Sequence, residues 1–100
     1  MAKIIQTDSQ SRALMKIKAN LKSIENINHF LDLSTDSGFI SFSFGGNALK
    51  LPIEKKAADT FAEGLKKDLV AETRRLSSAN SIELNEADET ILNKLTRKND

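Results

Sequence analysis

The feature that most constrains the fold is an alternating apolar segment broken by two glycines. In Phe39-Ile40-Ser41-Phe42-Ser43-Phe44, every second residue after Phe39 is apolar, which is typical of a strand with one buried face. Gly45-Gly46-Asn47 then provides residues that tolerate the positive φ angles of a tight turn. Leu49 and Leu51 alternate again before Pro52. We therefore predict a β-hairpin over residues 39–53.

The segment before the hairpin has a helical period. Leu14, Ile17, Leu21, Ile24 and Leu31 follow spacings of three and four, with Asn28 filling the gap between Ile24 and Leu31. This pattern predicts a helix over residues 9–33. Residues 15–22 also alternate between apolar and polar, so a strand remains an alternative for that stretch.

A second, longer helix is predicted from Pro52, which suits a first helical position, to about Ser77. Its apolar residues cover about half of the helix circumference, which is more than one packing partner requires. Gly64 lies at the edge of this apolar arc, and a close approach of another backbone would explain a glycine there.

The C-terminal part predicts a short extended segment at Ile82 and Leu84, followed by a last helix from Glu86 to about Lys98. Asn85 and Asp88 have the spacing of a capping box at its start. The fold class is thus α+β, in the order helix, β-hairpin, long helix and short C-terminal helix. A length of 100 residues fits a single small domain over 1–100, with frayed ends at about 1–8 and 97–100.

The composition narrows the functional classes. A content of 39% hydrophobic and 29% charged residues is typical of a globular protein rather than a disordered or membrane-spanning one. It contains no cysteine, which excludes disulfides and thiolate chemistry, and its N-terminus lacks the apolar core of a signal peptide. A cytoplasmic location is therefore expected.

Residues with catalytic potential are few. His29 is the one histidine, and Asp32 follows it at a helical spacing, so the pair forms a weak general-base candidate. Adding Asp36 gives a metal-ligand set of no recognised spacing. Gly45-Gly46-Asn47 matches no phosphate-binding motif and reads as a hairpin turn. We accordingly expect no catalytic residue, no metal and no cofactor.

Two apolar elements lead to the main functional expectation. A lone hairpin is marginally stable and offers open edges, and the long helix has a wide apolar arc. A protein partner or a second copy would cover both. The candidate interface residues are Phe42, Phe44, Phe61, Leu65 and Leu69. The expected function is a small non-catalytic binding or regulatory protein that forms homo-oligomers, of the accessory kind common in bacteria and their phages.

Two alternatives come from other classes. The densest positive cluster consists of Arg12, Lys16, Lys18 and Lys22, to which Lys50 adds, and would suit a nucleic-acid-binding regulator. A net charge of +1 disfavours that alternative, because DNA-binding proteins usually carry a strong basic excess. The second alternative is a protein that sequesters a small ligand, in a pocket between the hairpin and the long helix near Gly64 or at a subunit interface.

Overall fold

The computed structural model describes residues 8–94 and has an α+β fold of three helices and one hairpin. The elements, in chain order, are α1 (Asp8–Leu31), β1 (Ser37–Phe44), β2 (Asn47–Glu54), α2 (Lys55–Ala79) and α3 (Glu86–Asn93). The predicted order of helix, hairpin, long helix and short helix is confirmed. Residues 15–22 are helical, so the strand alternative is wrong.

Helices α1 and α2 run antiparallel along most of their length. Near one end, the Ser9 hydroxyl donates to Asn80 Oδ1 at 3.2 Å. Near the other end, Lys55 Nζ lies 4.8 Å from the centre of the Phe30 ring. The chain leaves α1 and returns into α2 at this second end, where the backbone N–H of Lys55 donates to the Asp36 carbonyl at 2.8 Å. The hairpin is thus inserted between two helices that pack against each other.

The core lies between the three helices. Ile17, Leu21 and Ile24 of α1 are buried together with Leu92 of α3. Half-buried apolar residues pack around this cluster: Leu69, Val70, Leu76, Ile82, Leu84 and Ile91. The period of α1 explains this arrangement, because residues three and four apart share one face of a helix.

Asn28 occupies the gap in the apolar pattern of α1 as the sequence suggests. Its side chain is buried, and its Nδ2 donates to the Ile91 carbonyl of α3 at 3.3 Å. A second buried amide, Asn20, donates to Glu72 Oε1 of α2 at 2.9 Å. Each buried amide therefore bonds α1 to a neighbouring element, which offsets part of the cost of burying a polar group.

The hairpin turns at the predicted glycines, and the turn consists of Gly45 and Gly46 alone because Asn47 already belongs to β2. Gly45 and Gly46 have φ angles of 53° and 82°, and a turn with positive φ at both central residues matches the twist of the adjoining strands. Phe44 pairs with Asn47, and the register continues to Ser37 opposite Glu54. The hairpin is therefore longer than residues 39–53 by a few residues.

The position of Pro52 differs from the predicted one. It belongs to β2 opposite Phe39, and α2 begins at Lys55, so Pro52 is not the first residue of the helix. Counted from the turn, the Phe39–Pro52 pair falls on a non-hydrogen-bonded position of the antiparallel ladder. The missing N–H of proline therefore removes no bond between the strands.

The ends of the other elements also differ from expectation. Ile82 and Leu84 lie in a loop rather than a strand and are half-buried against the core. Helix α3 ends at Asn93, short of the predicted Lys98, because Lys94 is extended. The fraying predicted for both termini falls outside the described residues, except at Asp8, which is the first residue of α1.

The start of α3 confirms the capping box. The Asp88 N–H donates to Asn85 Oδ1 at 2.8 Å, and the Asn85 N–H donates to Asp88 Oδ2 at 3.2 Å. These reciprocal bonds satisfy backbone donors that a helix start otherwise leaves free. They fix where an eight-residue helix begins, although a helix this short has little stability of its own.

The assembled elements make a thin plate of 58 × 38 × 15 Å. Its radius of gyration is 16.7 Å, against about 13 Å for a compact domain of this length. The described helices include none that is long and apolar enough to cross a membrane.

Candidate interaction surface

Apolar side chains on one side of the hairpin and on α2 form what we term the hairpin–α2 surface. The register places Ile40 opposite Leu51 and Phe42 opposite Leu49, so these four residues share a sheet face. Five large residues of the surface remain exposed: Phe44 (76%), Leu49 (52%), Leu51 (45%), Phe61 (46%) and Leu65 (44%).

The contact between Phe42 and Phe61 holds the two parts of this surface together. The ring centroids lie 6.1 Å apart and the rings meet edge to face, with an interplanar angle of 88°. This geometry places the positive edge of one ring against the negative face of the other. Leu65 follows Phe61 by one helical turn, so its side chain extends the apolar surface along α2.

Three of the predicted interface residues, Phe44, Phe61 and Leu65, are exposed on the hairpin–α2 surface. Phe42 is half-buried beneath it, in contact with Phe61. Leu69 lies elsewhere, because it packs against the core cluster between the helices. Its position on α2 turns it toward α1, and we exclude it from the surface.

Leu49 and Leu51 belong to the surface but were not among the predicted interface residues. The signal that identifies them is the alternation in the return strand, read together with the two-residue turn. That turn fixes which residues of β2 lie beside Phe42 and Phe44. Hairpin register, rather than hydrophobicity alone, is thus the information that finds these two leucines.

Gly64 does not have the predicted close contact. A Cβ placed on it would meet no atom within 4 Å, and the residue is exposed. The expectation that a nearby backbone explains this glycine is therefore wrong as far as residues 8–94 are concerned. The small-ligand alternative also placed its pocket near Gly64, and the structure shows open surface there.

The opposite face of the hairpin is more polar. It carries Ser41 and Ser43 on β1, and Lys50 on β2. Lys50 Nζ lies 4.7 Å from the centre of the Phe39 ring, a distance at which a cation and an aromatic face attract each other. The two faces of the hairpin thus differ in chemistry, and by strand alternation Phe39 shares the face of Ser41, Ser43 and Lys50.

The four predicted basic residues of α1 are all exposed: Arg12, Lys16, Lys18 and Lys22. We term them the basic side of α1. The buried residues of the same turns, such as Ala13, Ile17 and Leu21, face the core. At about 100° per residue, the cations fall on the side away from the core but spread over almost half of the helix, so they form no single row.

His29 is exposed and lines a groove of about 300 Å³ between α1 and α3. Asp32 lines the same groove, and its Oδ2 lies 3.8 Å from Lys94 Nζ. Within residues 8–94 there is no group of three or more His, Cys, Asp or Glu side chains that could hold a metal ion. Glu25 and Asp32 line the groove with His29 but do not form such a group with it.

Lys66 is the one described group whose pKa is clearly shifted. Burial lowers the pKa of its ammonium group from the ordinary 10.5, and the charge of Lys94 lowers it further, while Glu63 and Asp32 oppose the change. Lys66 Nζ also donates to the Lys94 carbonyl at 2.8 Å. This contact ties α2 to the end of α3, and we see a structural role for it.

A small cavity lies at the base of the hairpin. It measures about 150 Å³ and is lined by residues of α1, both strands and the start of α2, including Phe30, Phe39 and Ile53. Pockets for small ligands usually hold about 300–1,000 Å³. This cavity is therefore smaller than the small-ligand alternative requires.

A larger and more open groove lies beside the cavity. It measures about 690 Å³ and is lined by the loop after α1, the outer ends of both strands and the start of α2, including Asp36, Glu54 and Asp59. The small-ligand alternative is therefore not decided by volume.

Comparison with known proteins adds no family to this description. No family model matches the chain, and neither curated proteins nor solved structures provide a significant match. The two surfaces are accordingly interpreted from their own residues.

Proposed function

We propose that this chain is a small non-catalytic binding protein that acts through protein–protein contacts and associates with itself through the hairpin–α2 surface. The observation that carries the proposal is the exposure of five large apolar residues on this surface, Phe44 above all. Large contiguous apolar patches on soluble proteins commonly mark interaction sites. A cytoplasmic location, as expected from the sequence, is part of the proposal.

The apolar area matches what an interface needs. If a fully exposed side chain of this size offers about 200 Å², the five residues expose on the order of 500 Å². A standard interface covers about 800 Å² on each partner, of which about 60% is apolar. The exposed apolar area of the hairpin–α2 surface is therefore roughly what one partner contributes to a standard interface.

The shape of the molecule supports the same conclusion. The described elements form a plate only 15 Å thick, little more than the diameter of about 10–12 Å of a single helix. A second plate packed face to face would add the layer that covers the hairpin–α2 surface. A second copy is the partner we favour, because it carries the same apolar surface and one two-fold contact would cover both.

The strand edges offer a further contact. Since the sheet has two strands, each strand has one edge without a partner strand in the described chain. No charged residue lies between Ser37 and Phe44, so β1 lacks the charges that commonly block edge pairing. Edge pairing would add backbone hydrogen bonds to the apolar contact.

Light scattering tests the proposal by giving the molar mass in solution. We expect an oligomer for the wild type and a folded monomer for Phe44→Lys and for Leu65→Asp. Phe39→Lys is the matched control, since it makes the same change in the same strand but on the other face. It should leave the mass unchanged.

Two results would contradict the proposal. A monomeric wild type at high concentration would contradict self-association. Equal disruption of the oligomer by Phe39→Lys would contradict the assignment to the hairpin–α2 surface.

The proposal that the protein is non-catalytic has a separate test. Loss of biological activity in a folded His29→Ala variant would indicate chemistry at His29 instead.

A further inference from the structure

The basic side of α1 has no counter-charge in its own stretch of the helix. From Ser9 to Ile24 the sequence contains four cations and no carboxylate. In residues 8–94 none of these cations forms an ion pair, whereas the pairs that occur there use Lys55, Arg74, Arg75 and Lys94. The positive charge between Ser9 and Ile24 is therefore not neutralised by ion pairs within residues 8–94. The nearest carboxylates of the helix, Asp8 and Glu25, lie just outside this stretch.

Although the net charge of the protein is low, its basic and acidic residues lie in different parts of the chain. The acidic residues gather elsewhere, notably before and within the first turns of α3, at Glu83, Glu86, Asp88 and Glu89. A net charge of +1 is thus the sum of a positive helix and negative segments. Local charge governs binding at short range, since salt screens charges more than about 8 Å away.

We propose that the basic side of α1 binds the phosphate backbone of a nucleic acid. From Arg12 to Lys22 the helix rises about 15 Å. One strand of a duplex carries a phosphate every 3.4 Å or so along the axis, so this length covers about four phosphates. The cations form two i,i+4 pairs, Arg12 with Lys16 and Lys18 with Lys22. Since the two pairs lie on different flanks of the exposed side, we expect them to contact phosphates on either side of the helix axis.

The packing of α1 favours a nucleic acid over a lipid surface. A helix that lies on a membrane inserts an apolar face, but the apolar face of α1 is buried against α2 and α3. Met15 is the one large apolar residue that α1 leaves strongly exposed. Lysine contacts to phosphate carry no sequence information, so we expect binding that is insensitive to sequence.

Fluorescence anisotropy with short labelled single-stranded and duplex oligonucleotides tests this proposal. The wild type should bind, and its affinity should fall steeply as salt is raised. Lys16→Gln/Lys22→Gln should weaken binding and reduce the slope of log K against log salt by about 2, roughly one per lost phosphate contact. All four basic residues are exposed, so these variants should remain folded.

Lys56→Gln/Lys67→Gln is the matched control. It removes the same charge from exposed lysines of α2 and should leave binding nearly unchanged. Equal weakening by both double variants would overturn the proposal, as would the absence of salt-dependent binding. Binding to phosphatidylserine vesicles without binding to oligonucleotides would overturn it too, and so would equal competition by polyglutamate. Each result is independent of whether the hairpin–α2 surface self-associates.

Discussion

The ring of Phe42 meets the ring of Phe61 edge to face, with 6.1 Å between the centroids. This contact joins the hairpin to α2 at a distance from the hairpin base, where the strands already connect covalently to the helices. Without it, the hairpin would depend on a two-strand ladder, which is marginally stable in water. The position of the hairpin–α2 surface therefore depends on this pair of rings.

A double-mutant cycle of Phe42→Ala and Phe61→Ala should show this dependence. We expect a coupling free energy of about 1 kcal/mol, typical of an aromatic pair, in chemical denaturation at one fixed protein concentration. A cycle of Phe39→Ala with Phe61→Ala is the control and should show no coupling, because Phe39 lies on the other face of the hairpin. A Phe42–Phe61 coupling free energy smaller than the experimental error would mean that the contact between the rings does not stabilise the hairpin on α2.

The ion pair of Lys55 and Asp59 gives a second prediction. Lys55 Nζ lies 2.8 Å from Asp59 Oδ1, the side chains are 13% and 12% exposed, and Lys55 Nζ also donates to the Leu33 carbonyl at 3.0 Å. Lys55→Met leaves a buried carboxylate without its partner, so we expect the free energy of unfolding to fall by about 3 kcal/mol.

The neighbouring Lys56→Met serves as the control for that measurement. Lys56 is exposed, and its replacement should change the free energy of unfolding by less than about 0.5 kcal/mol. Lys55→Met/Asp59→Asn should recover part of the loss, because it removes the unpaired charge. Similar stabilities for Lys55→Met and Lys56→Met would show that the pair contributes little.

The capping box of α3 gives a third prediction. Asn85→Ala removes the acceptor of the Asp88 N–H and should cost about 1 kcal/mol. The loss should be visible in chemical denaturation and as faster hydrogen exchange at the start of α3. Glu83→Ala in the preceding loop is the control and should have little effect. Unchanged exchange in the Asn85 variant would contradict a role of the cap in starting the helix.

Lys66 gives a prediction about pH. Because burial lowers the pKa of its ammonium group below 10.5, the unfolded state binds more protons than the folded state between the two pKa values. The contribution of Lys66 to stability should therefore rise as pH increases through the folded pKa, and level off above 10.5. An NMR titration, with the signal assigned by its loss in Lys66→Met, should show a pKa below 10.5. A value at or above 10.5 would contradict it.

Much of the fold follows from local sequence patterns. The 3–4 period of Ile17, Leu21 and Ile24 sets the buried face of α1, and two successive glycines set the hairpin turn. Pro52 was misassigned because its local preference suits either a helix start or a strand edge. Proline is tolerated in β2 because the pairs of an antiparallel ladder alternate between hydrogen-bonded and non-hydrogen-bonded. Which kind of pair includes Pro52 is set at the turn, seven residues away.

The candidate surfaces were less predictable than the elements. Leu65 and Leu69 are one helical turn apart and equally apolar, yet Leu65 is exposed and Leu69 packs against the core. What separates them is the position of α1 around α2, which the wide apolar arc of α2 does not specify. Charge patterning was more informative, because a stretch of α1 without carboxylates is visible in the sequence itself.

The free edges of the hairpin determine how large an assembly could grow. If β1 of one copy pairs with β1 of another, the contact is isologous and two-fold symmetry closes it at two subunits. If β1 pairs with β2, the contact is heterologous, and each added copy brings the same free edge for the next one. Such an assembly grows into an open filament unless the rotation between copies closes a ring. The way in which the two strand edges pair thus decides the size of the assembly.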